Sequence, residues 1–518
     1  MKRLKVGILD LLTNTPNEPW FQSHVMAPNF ASITPQCVGV WAEELGHDVF
    51  YETFTGREDL ERCLPEGLDV LFLSCFSRSS FLAYGLSAAY RKKGVVTVLG
   101  GPHARSFPEH AREYFDYVCL LTDKPLIQGL FQGLSRQERG VVLGAKGQPG
   151  SLPGVRARAR FIDVGMNKGT SLFRVVPMLG SLGCPYTCGF CIDAPIPYKP
   201  MPFDVLVDDL RFAQERYGKN TVVGWHDPNF GVRFRDYMGA IEASGTQLMH
   251  VAESSLSLLK ESNLQALKKA NFVAMLPGIE SWYECDAKGG AGKVFGEAKV
   301  KHVAEHVNLI MSYIPCVQTN FVIGLDSDVG EEPWRLTKQF VDLAPGAFPG
   351  YSLISDFQNA PMSADLAAAN RVTKVPYPLL DNNFAINVRL KNYSPTEYYD
   401  RLIDLMEHTW SWGALWRRAW ANRRWAVKAI NFGRALSEGR GRLSHYRYMR
   451  RQLDEDREFS AFARGESEVP PTFFFTAIKE QMGKYAALVP ADLLTPLGFV
   501  RSVEKIAPAP RIPAQKVA

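Results

Sequence analysis

The chain has 518 residues, which is too long for one ordinary hydrophobic core and indicates two to four domains. Its apolar content of 46% and charged content of 22% are typical of globular proteins, and no apolar run approaches the ~18 residues that cross a bilayer. A net charge of +5 is too mild to indicate nucleic-acid binding. These features exclude an integral membrane protein and give no support to a nucleic-acid-binding one.

The N-terminal residues have a charged start and an apolar stretch, as secretion signals do. Asp10 interrupts that stretch, and no small-residue cleavage site follows. The nine cysteines are scattered, with only three close together, unlike the dense framework of a disulfide-stabilised secreted domain. We therefore expect a first β-strand at this end and a cytoplasmic location.

Short β-rich runs alternate with helical patterns from residue 5 to about residue 134, which predicts a parallel sheet covered by helices. This is the pattern of a doubly wound, flavodoxin- or Rossmann-like domain, assigned to residues 1–134. The predicted strands are residues 5–10, 48–53, 69–74, 95–99 and 117–121. Helices are predicted at residues 36–45 and 81–92.

Ligands of such domains bind beyond the carboxyl ends of the strands, which here are the turns after Ser74 and Leu99. The second turn reads Gly100, Gly101, Pro102, His103. Two glycines let a backbone approach a bulky cofactor closely. A tight strand-to-helix turn without a ligand explains them equally well.

Residues 135–174 are rich in Gly, Arg and Pro and are predicted to be a linker. A second alternation follows in residues 175–392 and predicts a partial TIM-type (β/α)6 barrel with its site at the carboxyl ends of the strands. Its predicted strands are residues 176–182, 220–226, 247–253, 272–279, 315–323 and 350–356, and its helices include 203–217 and 256–270.

Strand patterns stop near residue 393, where Ser394 and Glu397 form a plausible capping box. Residues 393–505 are therefore predicted to be a helical cap, and residues 506–518 a disordered tail. The cap is rich in Trp and Arg, which we expect to form mostly buried core. The alternatives are a lid over an acidic or aromatic substrate and a helix lying on a membrane surface.

The strongest chemical signal is a run of three cysteines, Cys184, Cys188 and Cys191, directly after the first strand of the second alternation. Three thiols within eight residues can surround one centre. A structural zinc normally takes four ligands from paired knuckles, and no second Cys pair or His pair accompanies this run. An iron-sulfur cluster with three protein thiolates remains, and it leaves one iron open.

The C-x3-C-x2-C spacing after the first strand of a six-unit barrel, with Phe190 before the third cysteine, resembles the radical S-adenosylmethionine (SAM) superfamily. The resemblance implies that the open iron of a 4Fe-4S cluster binds SAM. One electron then cleaves SAM and releases a 5'-deoxyadenosyl radical. The protein orients these cofactors and excludes water.

Further cofactor-binding residues follow from the same resemblance. The segment with Gly278, Glu280 and Ser281 resembles the family's polar contact to the SAM ribose, and the turn at Gly324 resembles its adenine contact. The turn with Asp227 and Asn229 departs from the superfamily's Gly-Gly-Glu pattern. It is closer to the turn of members that carry an N-terminal cobalamin domain.

The first domain resembles that cobalamin-binding domain. The resemblance implies that Ser74, Gly100, Gly101, Pro102 and His103 lie at the corrin. An Asp-x-His-x-x-Gly motif is absent, so a histidine below the cobalt is not expected. After residue 118 the chain reads Cys-Leu-Leu-Thr-Asp-Lys-Pro, where relatives continue with Gly-Glu-Gly-Glu.

The expected function is cobalamin-dependent methylation of an unactivated carbon, or less often phosphorus, of a small metabolite. The implied partners are the small substrate and a one-electron reductant such as flavodoxin or ferredoxin, with no nucleic acid; peripheral membrane contact stays open. One alternative is a radical SAM enzyme that rearranges or cyclises its substrate without methyl transfer. Another is a methylthiotransferase-like modifier of RNA or protein, with a second cluster on Cys37, Cys75 and Cys119. A non-enzymatic iron-sulfur or zinc scaffold is a third.

Overall fold

The computed structural model describes residues 2–16, 32–145, 151–168, 174–284 and 294–506. The predicted tail from residue 507 onward lies outside this part of the chain. The described residues form two six-stranded parallel sheets followed by a helical region, which confirms the predicted fold class. No helix among them is both long and apolar enough to cross a membrane.

The first sheet has the strand order β2-β1-β3-β4-β5-β6, with every pair parallel. Its strands are β1 Lys5–Leu11, β2 Asp48–Phe54, β3 Val70–Cys75, β4 Val96–Gly100, β5 Tyr117–Cys119 and β6 Val141–Leu143. Its helices are α1 Ile33–Glu44, α2 Ser80–Lys92, α3 Pro102–Ser106, α4 Pro108–Ala111, α5 Lys124–Gln132 and α6 Val155–Met166. The central strands are buried on both faces because helices cover both sides of the sheet.

The predicted linker differs from the structure, because it contains β6 and α6. Strand β6 extends the edge of the first sheet beside β5, and α6 packs on α1. Strand β6 has only three residues, which is too short to show a repeat of apolar residues. In α6 the buried Arg158 stands where an apolar residue would have marked the helix.

The second sheet has the order β14-β13-β12-β11-β10-β7, again parallel throughout, as expected of a partial barrel. Its strands are β7 Val175–Met178, β10 Val222–Trp225, β11 Met249–Ser255, β12 Phe272–Glu280, β13 Cys316–Ile323 and β14 Phe348–Leu353. A short antiparallel ribbon, β8 Ser181–Leu182 and β9 Lys199–Pro200, follows β7. The helices between strands are α7 Phe203–Tyr217, α8 Phe234–Ser244, α9 Glu261–Lys269, α10 Gly296–Tyr313 and α11 Glu332–Leu343.

The remaining helices are α12 Ser363–Ala368, α13 Pro395–Thr409, α14 Trp412–Ala421, α15 Trp425–Arg434, α16 Arg440–Glu455, α17 Arg457–Arg464, α18 Thr472–Met482 and α19 Pro496–Glu504. The predicted cap of α13 is present, since the Ser394 hydroxyl accepts a hydrogen bond from the Glu397 amide at 3.2 Å. The expectation of mostly buried tryptophans in this region was wrong. Trp410 is buried, but four other tryptophans are exposed to solvent: Trp412, Trp416, Trp420 and Trp425.

The three regions share one hydrophobic core, which runs from Leu9 and Phe81 through the barrel to Phe475 and Phe499. The helical region also contacts the first sheet directly. The hydroxyl of Tyr485 accepts from the Leu60 amide and donates to a carbonyl of the same loop, each at 3.2 Å. The C-terminal helices are therefore packed on both sheets.

Candidate functional site

The cysteine loop leaves the barrel at the carboxyl end of β7. Gly183 begins it at φ +68°, and a Cβ there would overlap the carbonyl oxygens of Ile196 and Pro197. Only glycine fits this conformation and this contact. The loop therefore folds back on its own start and closes through the β8–β9 ribbon.

The loop is anchored from the far side of the barrel. The Cys191 amide donates to the Cys188 carbonyl at 3.1 Å. The carbonyls of Gly189 and Ile192 accept from the Met362 amide at 2.8 Å and the Asn359 side chain at 3.0 Å. The segment after β14 therefore fixes the position of the cysteine loop.

Cys184 is buried, and Cys188 and Cys191 are half-buried. Within the described residues no three His, Cys, Asp or Glu side chains are gathered closely enough to hold a metal ion as they stand. Three thiols on one loop at the carboxyl edge of a parallel barrel nevertheless fit an iron-sulfur cluster in donor chemistry and in position.

Phe190 links the cysteine loop to the turn after β13. Its ring packs on a small cluster formed by Leu325 and its neighbours. In that turn Gly324 has φ +94°, and its amide and that of Leu325 both donate to Asp328, at 3.0 and 3.2 Å. Burial raises the pKa of Asp328 to about 7. The structure thus brings Phe190 and the turn at Gly324 together.

Asp227 and Asn229 follow β10 and are both buried. The Asp227 carboxylate accepts from the Gly180 amide at 2.8 Å, from the Ser181 hydroxyl at 2.7 Å and from the Tyr237 hydroxyl at 2.8 Å. The side-chain oxygen of Asn229 accepts from the backbone amide of residue 255 at 3.0 Å. These contacts tie neighbouring strand ends together, so both residues hold the edge that presents the cysteine loop.

The segment that was predicted to contact the SAM ribose lies at the end of β12. Glu280 has φ +66°, and its carboxylate lies where a Cβ on Gly278 would be. The Ser281 hydroxyl accepts from two following amides, and its carbonyl accepts from the buried ammonium of Lys299 at 2.7 Å. The Glu280 carboxylate can occupy this half-buried place at the strand end only because Gly278 has no side chain.

A cleft lies at the carboxyl edge of the first sheet, and Ser74, Gly100 and Gly101 line it as predicted. Gly101 has φ +90°, and a Cβ there would lie about 3 Å from the Cys75 backbone. A Cβ on Gly100 would meet nothing within 4 Å. The enclosed part of the cleft is about 70 Å³, so a corrin ring would require it to open.

His103 points elsewhere, into a buried polar cluster behind the cleft. Its ring nitrogens lie 2.7 Å from the Tyr84 hydroxyl and 3.1 Å from the Ser77 hydroxyl. Burial holds the pKa of His103 well below its usual range. Pro102 occupies the first turn of α3, where a missing amide hydrogen costs little. The geometry gives both residues a structural role, and their contact with a corrin stays a prediction.

Arg105, two residues beyond His103, was not predicted as a site residue from the sequence. Its guanidinium lines the cleft and pairs with Asp193 of the cysteine loop at 3.2 Å. Burial lowers the pKa of Arg105, while Asp193 and then Cys191 oppose that shift. The Nε of Arg105 and the hydroxyl of Thr122, also in the cleft, are buried with no hydrogen-bond partner in the described part of the chain. The cleft therefore offers two donors to a ligand, and Arg105 joins it to the cysteine loop.

A second cavity of about 230 Å³ lies beyond the carboxyl end of β14. Phe107 contributes from the first domain and Gln358 from the segment that anchors the cysteine loop. Its other walls include Tyr377, Phe462 and Phe499. Four charged residues also line it, namely Asp356, Lys374, Arg389 and Glu468, and a cavity that combines aromatic and charged walls suits a small polar organic molecule.

The three cysteines considered for a second cluster do not converge. Cys75 belongs to the core on one face of the first sheet, while Cys37 and Cys119 belong to the core on the other. All three are buried, and burial raises the pKa of Cys37 and of Cys119 to about 12. Neutral thiols on opposite faces of a sheet cannot ligate one cluster.

No family model matches the chain. Over 201 residues it is 24% identical to the bacteriochlorophyllide d C-12(1)-methyltransferase of Chlorobaculum tepidum; the match covers 36% of this chain and 42% of that protein. The chain thus spans about two fifths of that relative's length.

Two solved structures share the fold over most of the chain. Both are of TsrM from Kitasatospora setae, a radical SAM methyltransferase. One holds tryptophan substrate and a SAM analogue, with a TM-score of 0.56, and the other holds cobalamin and a [4Fe-4S] cluster, with a TM-score of 0.55. Each is 13% identical and covers 88% of this chain and 100% of that one. The predicted fold class, two parallel α/β units followed by a helical region, is confirmed.

Proposed function

We propose that this protein is a radical SAM enzyme that methylates an unactivated carbon of a small metabolite. In this proposal Cys184, Cys188 and Cys191 hold a 4Fe-4S cluster, and the cleft at Gly100 and Gly101 holds cobalamin. The observation that carries it is the Arg105–Asp193 ion pair, which makes the cleft and the cysteine loop neighbours. When bound, the cluster would supply an electron to SAM and the corrin would supply a methyl group.

The chain's own residues would position these groups. Phe190 and the turn at Gly324 form one packed wall beside the cysteine loop, where the SAM adenine would lie. Glu280, held at positive φ, would accept from the ribose hydroxyls. Arg105 and Thr122 would donate to the polar edge of the corrin from their unpaired atoms.

The small substrate would occupy the cavity at Phe107, Gln358 and Tyr377. Phe107 belongs to the first domain, and Gln358 adjoins Asn359, whose side chain bonds to the cysteine loop; both support this assignment. Within the same proposal the first sheet and its helices, including β6 and α6, form the cobalamin unit, residues 175–392 the SAM unit and residues 393–505 the cap. The location would be cytoplasmic and the electron donor a flavodoxin or ferredoxin.

The first experiment is an anaerobic purification in which iron, sulfide and corrin are quantified together, followed by SAM cleavage with a strong reductant. Four irons and one cobalamin per chain with 5'-deoxyadenosine formed is the expected result. One cluster without corrin would contradict methyl transfer and favour the alternative of a rearrangement or cyclisation. About eight irons would indicate a second cluster, and zinc without SAM cleavage would refute the radical SAM assignment.

A variant tests the corrin site separately. Gly100→Val places a side chain in open space of the cleft, so the fold should be retained while the dissociation constant for cobalamin rises at least ~tenfold. Gly133→Val, at the end of α5, is the matched control with one contact near 4 Å outside the cleft. Equal corrin affinity of the two variants would place the corrin elsewhere.

A further inference from the structure

Four tryptophans of the helical region are exposed on one helical hairpin. Trp412, Trp416 and Trp420 lie on α14, and Trp425 begins α15; their exposed fractions are 53%, 68%, 89% and 79%. Phe432 and Leu436, further along, are also exposed. We call these six residues the Trp face. An indole exposed to 89% touches almost no protein, so this side of the hairpin is uncovered.

The spacing places these residues on common stripes. Trp412, Trp416 and Trp420 recur every four residues along α14, and Trp425, Phe432 and Leu436 follow the i, i+7, i+11 pattern of one helix face. The two helices pack on each other. The Trp face is therefore made of two exposed stripes on two helices in contact.

The other side of the hairpin fixes its orientation. The Arg418 guanidinium is buried and donates to the Ala347 carbonyl at 3.1 Å, and the Asn422 side chain donates to the Gly346 carbonyl at 3.0 Å. Both carbonyls lie just before β14. Since the inner side is bonded to the barrel, rotation of the helices cannot bury the indoles.

The hairpin sequence carries only positive charge, and two of its cations pair with carboxylates outside it, Arg417 with Asp342 at 2.7 Å and Arg434 with Glu438 at 3.2 Å. Residues 408–437 contain no Asp or Glu, and their six cations are Arg417, Arg418, Arg423, Arg424, Lys428 and Arg434. Arg423 and Arg424, at the tip between the helices, are exposed and make no ion pair with any residue that the structure describes. Unpaired cations at the tip complement an anionic surface.

The exposed indoles together present on the order of 600 Å², because each aromatic side chain offers ~150–250 Å². This is as large as the largest apolar patch of a typical monomer. Tryptophan prefers the headgroup level of bilayers, and helices with Trp, Phe and Leu on one side and Arg or Lys beside them lie in that interface.

We propose that the Trp face docks the protein on a bilayer that contains anionic lipids. The indoles enter the headgroup layer, and Arg423 and Arg424 pair with anionic headgroups. This assignment does not depend on the proposed chemistry. It differs from an acidic protein partner or a second copy of the chain, both of which the following test distinguishes.

The test is cosedimentation of the full-length protein with vesicles of phosphatidylcholine alone and of phosphatidylcholine mixed with phosphatidylglycerol. The mixed vesicles should bind at least ~tenfold more protein, and added salt should reduce this preference. Tryptophan emission should shift to the blue on binding and be quenched by brominated lipid.

Two sets of variants locate the contact. Trp416→Ser with Trp420→Ser and Trp425→Ser should lower the partition coefficient at least ~tenfold on both vesicle types. Arg423→Ser with Arg424→Ser should lower it about tenfold on the anionic vesicles alone. The matched controls are Leu497→Ser, exposed to 62% on α19, and Lys219→Ser with Arg235→Ser, two exposed cations on the barrel.

Unchanged melting temperature and iron content would confirm that each variant is folded. If the tryptophan variant does not fold, the variant Arg423→Ser with Arg424→Ser still tests the proposal. No binding of the unaltered protein to the mixed vesicles would overturn the proposal, as would binding that the variants do not change. Salt-sensitive binding to polyglutamate without vesicle binding would point to an acidic protein. Self-association removed by the tryptophan variant would point to a second copy.

Discussion

Gly324 is held by its neighbours as well as by its conformation. A Cβ at this position would lie 2.9 Å from Cε2 of Tyr398 and 3.2 Å from Cδ2 of Leu390, at a φ of +94°. Crowding and left-handed strain act together, so Gly324→Ala should lower the free energy of unfolding by about 2–4 kcal/mol. Urea denaturation followed by tryptophan fluorescence measures this change.

Gly330→Ala is the control for Gly324, because Gly330 also has positive φ, +66°, but no atom within 4 Å of a Cβ. It should cost only about 1 kcal/mol through backbone strain. If the two variants cost the same, contact with Tyr398 does not fix the turn. SAM affinity should fall in the Gly324 variant and stay unchanged in the control.

Asp328 makes the same turn sensitive to pH. Its pKa is raised to about 7 by burial, so between about pH 4 and pH 7 the unfolded chain releases the proton that the folded one keeps. The contribution of the neutral carboxyl to stability is therefore full at low pH and is lost as the pH rises to about 7. Asp328→Asn can still accept from the Gly324 and Leu325 amides and carries no charge.

We expect Asp328→Asn to match the parent chain near pH 4 and to exceed its free energy of unfolding by a few kcal/mol at pH 8. Urea midpoints measured across this range give the comparison. Asp365→Asn, in the first turn of α12, controls for removing a carboxylate and should show no such rise. A difference that stays constant with pH would mean that Asp328 is already ionised in the fold.

At this scale the sequence predicted residues whose role is local. The three cysteines, Phe190 and the glycines could be singled out because their spacing or lack of a side chain is itself a local pattern, and their contact with cofactors stays a prediction. Asp227 was expected at a cofactor, yet its three partners include two residues more than forty positions earlier. No local pattern contains that information, and the same holds for Arg105.

The start of α13 allows a test at the level of one helix. Ser394 accepts from the Glu397 amide, and loss of such a cap costs about 1 kcal/mol. Ser394→Ala should therefore destabilise the chain by about that amount in urea denaturation. Ser437→Ala, an exposed serine whose hydroxyl bonds within its own helix at 2.8 Å, should be close to neutral. If the two substitutions lowered the free energy of unfolding equally, the Ser394 cap would not stabilise the helix.

Strands and helices were predictable where burial repeats along the chain. Buried parallel strands are apolar runs, so most predicted strands differ from the observed ones by only a few residues. The first barrel strand ends at Met178 instead of continuing into the ribbon. The tryptophan spacing of α14 showed an apolar stripe but not whether anything covers it, which is why the predicted burial was wrong.

For the whole molecule, the order of the two parallel units followed from their alternating patterns, but their contact did not. Arg158 of α6 bonds to the Gln36 side chain at 2.6 Å and to the Pro177 carbonyl at 3.0 Å, joining α1 to the first barrel strand. Such contacts between distant segments depend on packing that no single segment encodes. They bring the two carboxyl edges together at Arg105 and Asp193.

This arrangement predicts thermodynamic coupling between the two proposed cofactors. With Arg105 between the cleft and the cysteine loop, cobalamin should slow the loss of iron to a chelator, and the cluster should tighten cobalamin binding. Each effect is expected to be about fivefold or more in the parent chain and should fall toward one in Arg105→Met. Iron release rates with and without cobalamin, and corrin dissociation constants with and without the cluster, measure the two effects.

Arg105→Lys retains the charge and should keep part of the coupling, whereas Arg139→Met removes an exposed arginine of the same domain and should keep all of it. Asp193→Asn combined with Arg105→Met should weaken the coupling no further than either change alone, because both act through one ion pair. Additive losses would mean that the two sites communicate by a route other than this pair. Full coupling in Arg105→Met would separate the cleft from the cysteine loop in function, although they are neighbours in the fold.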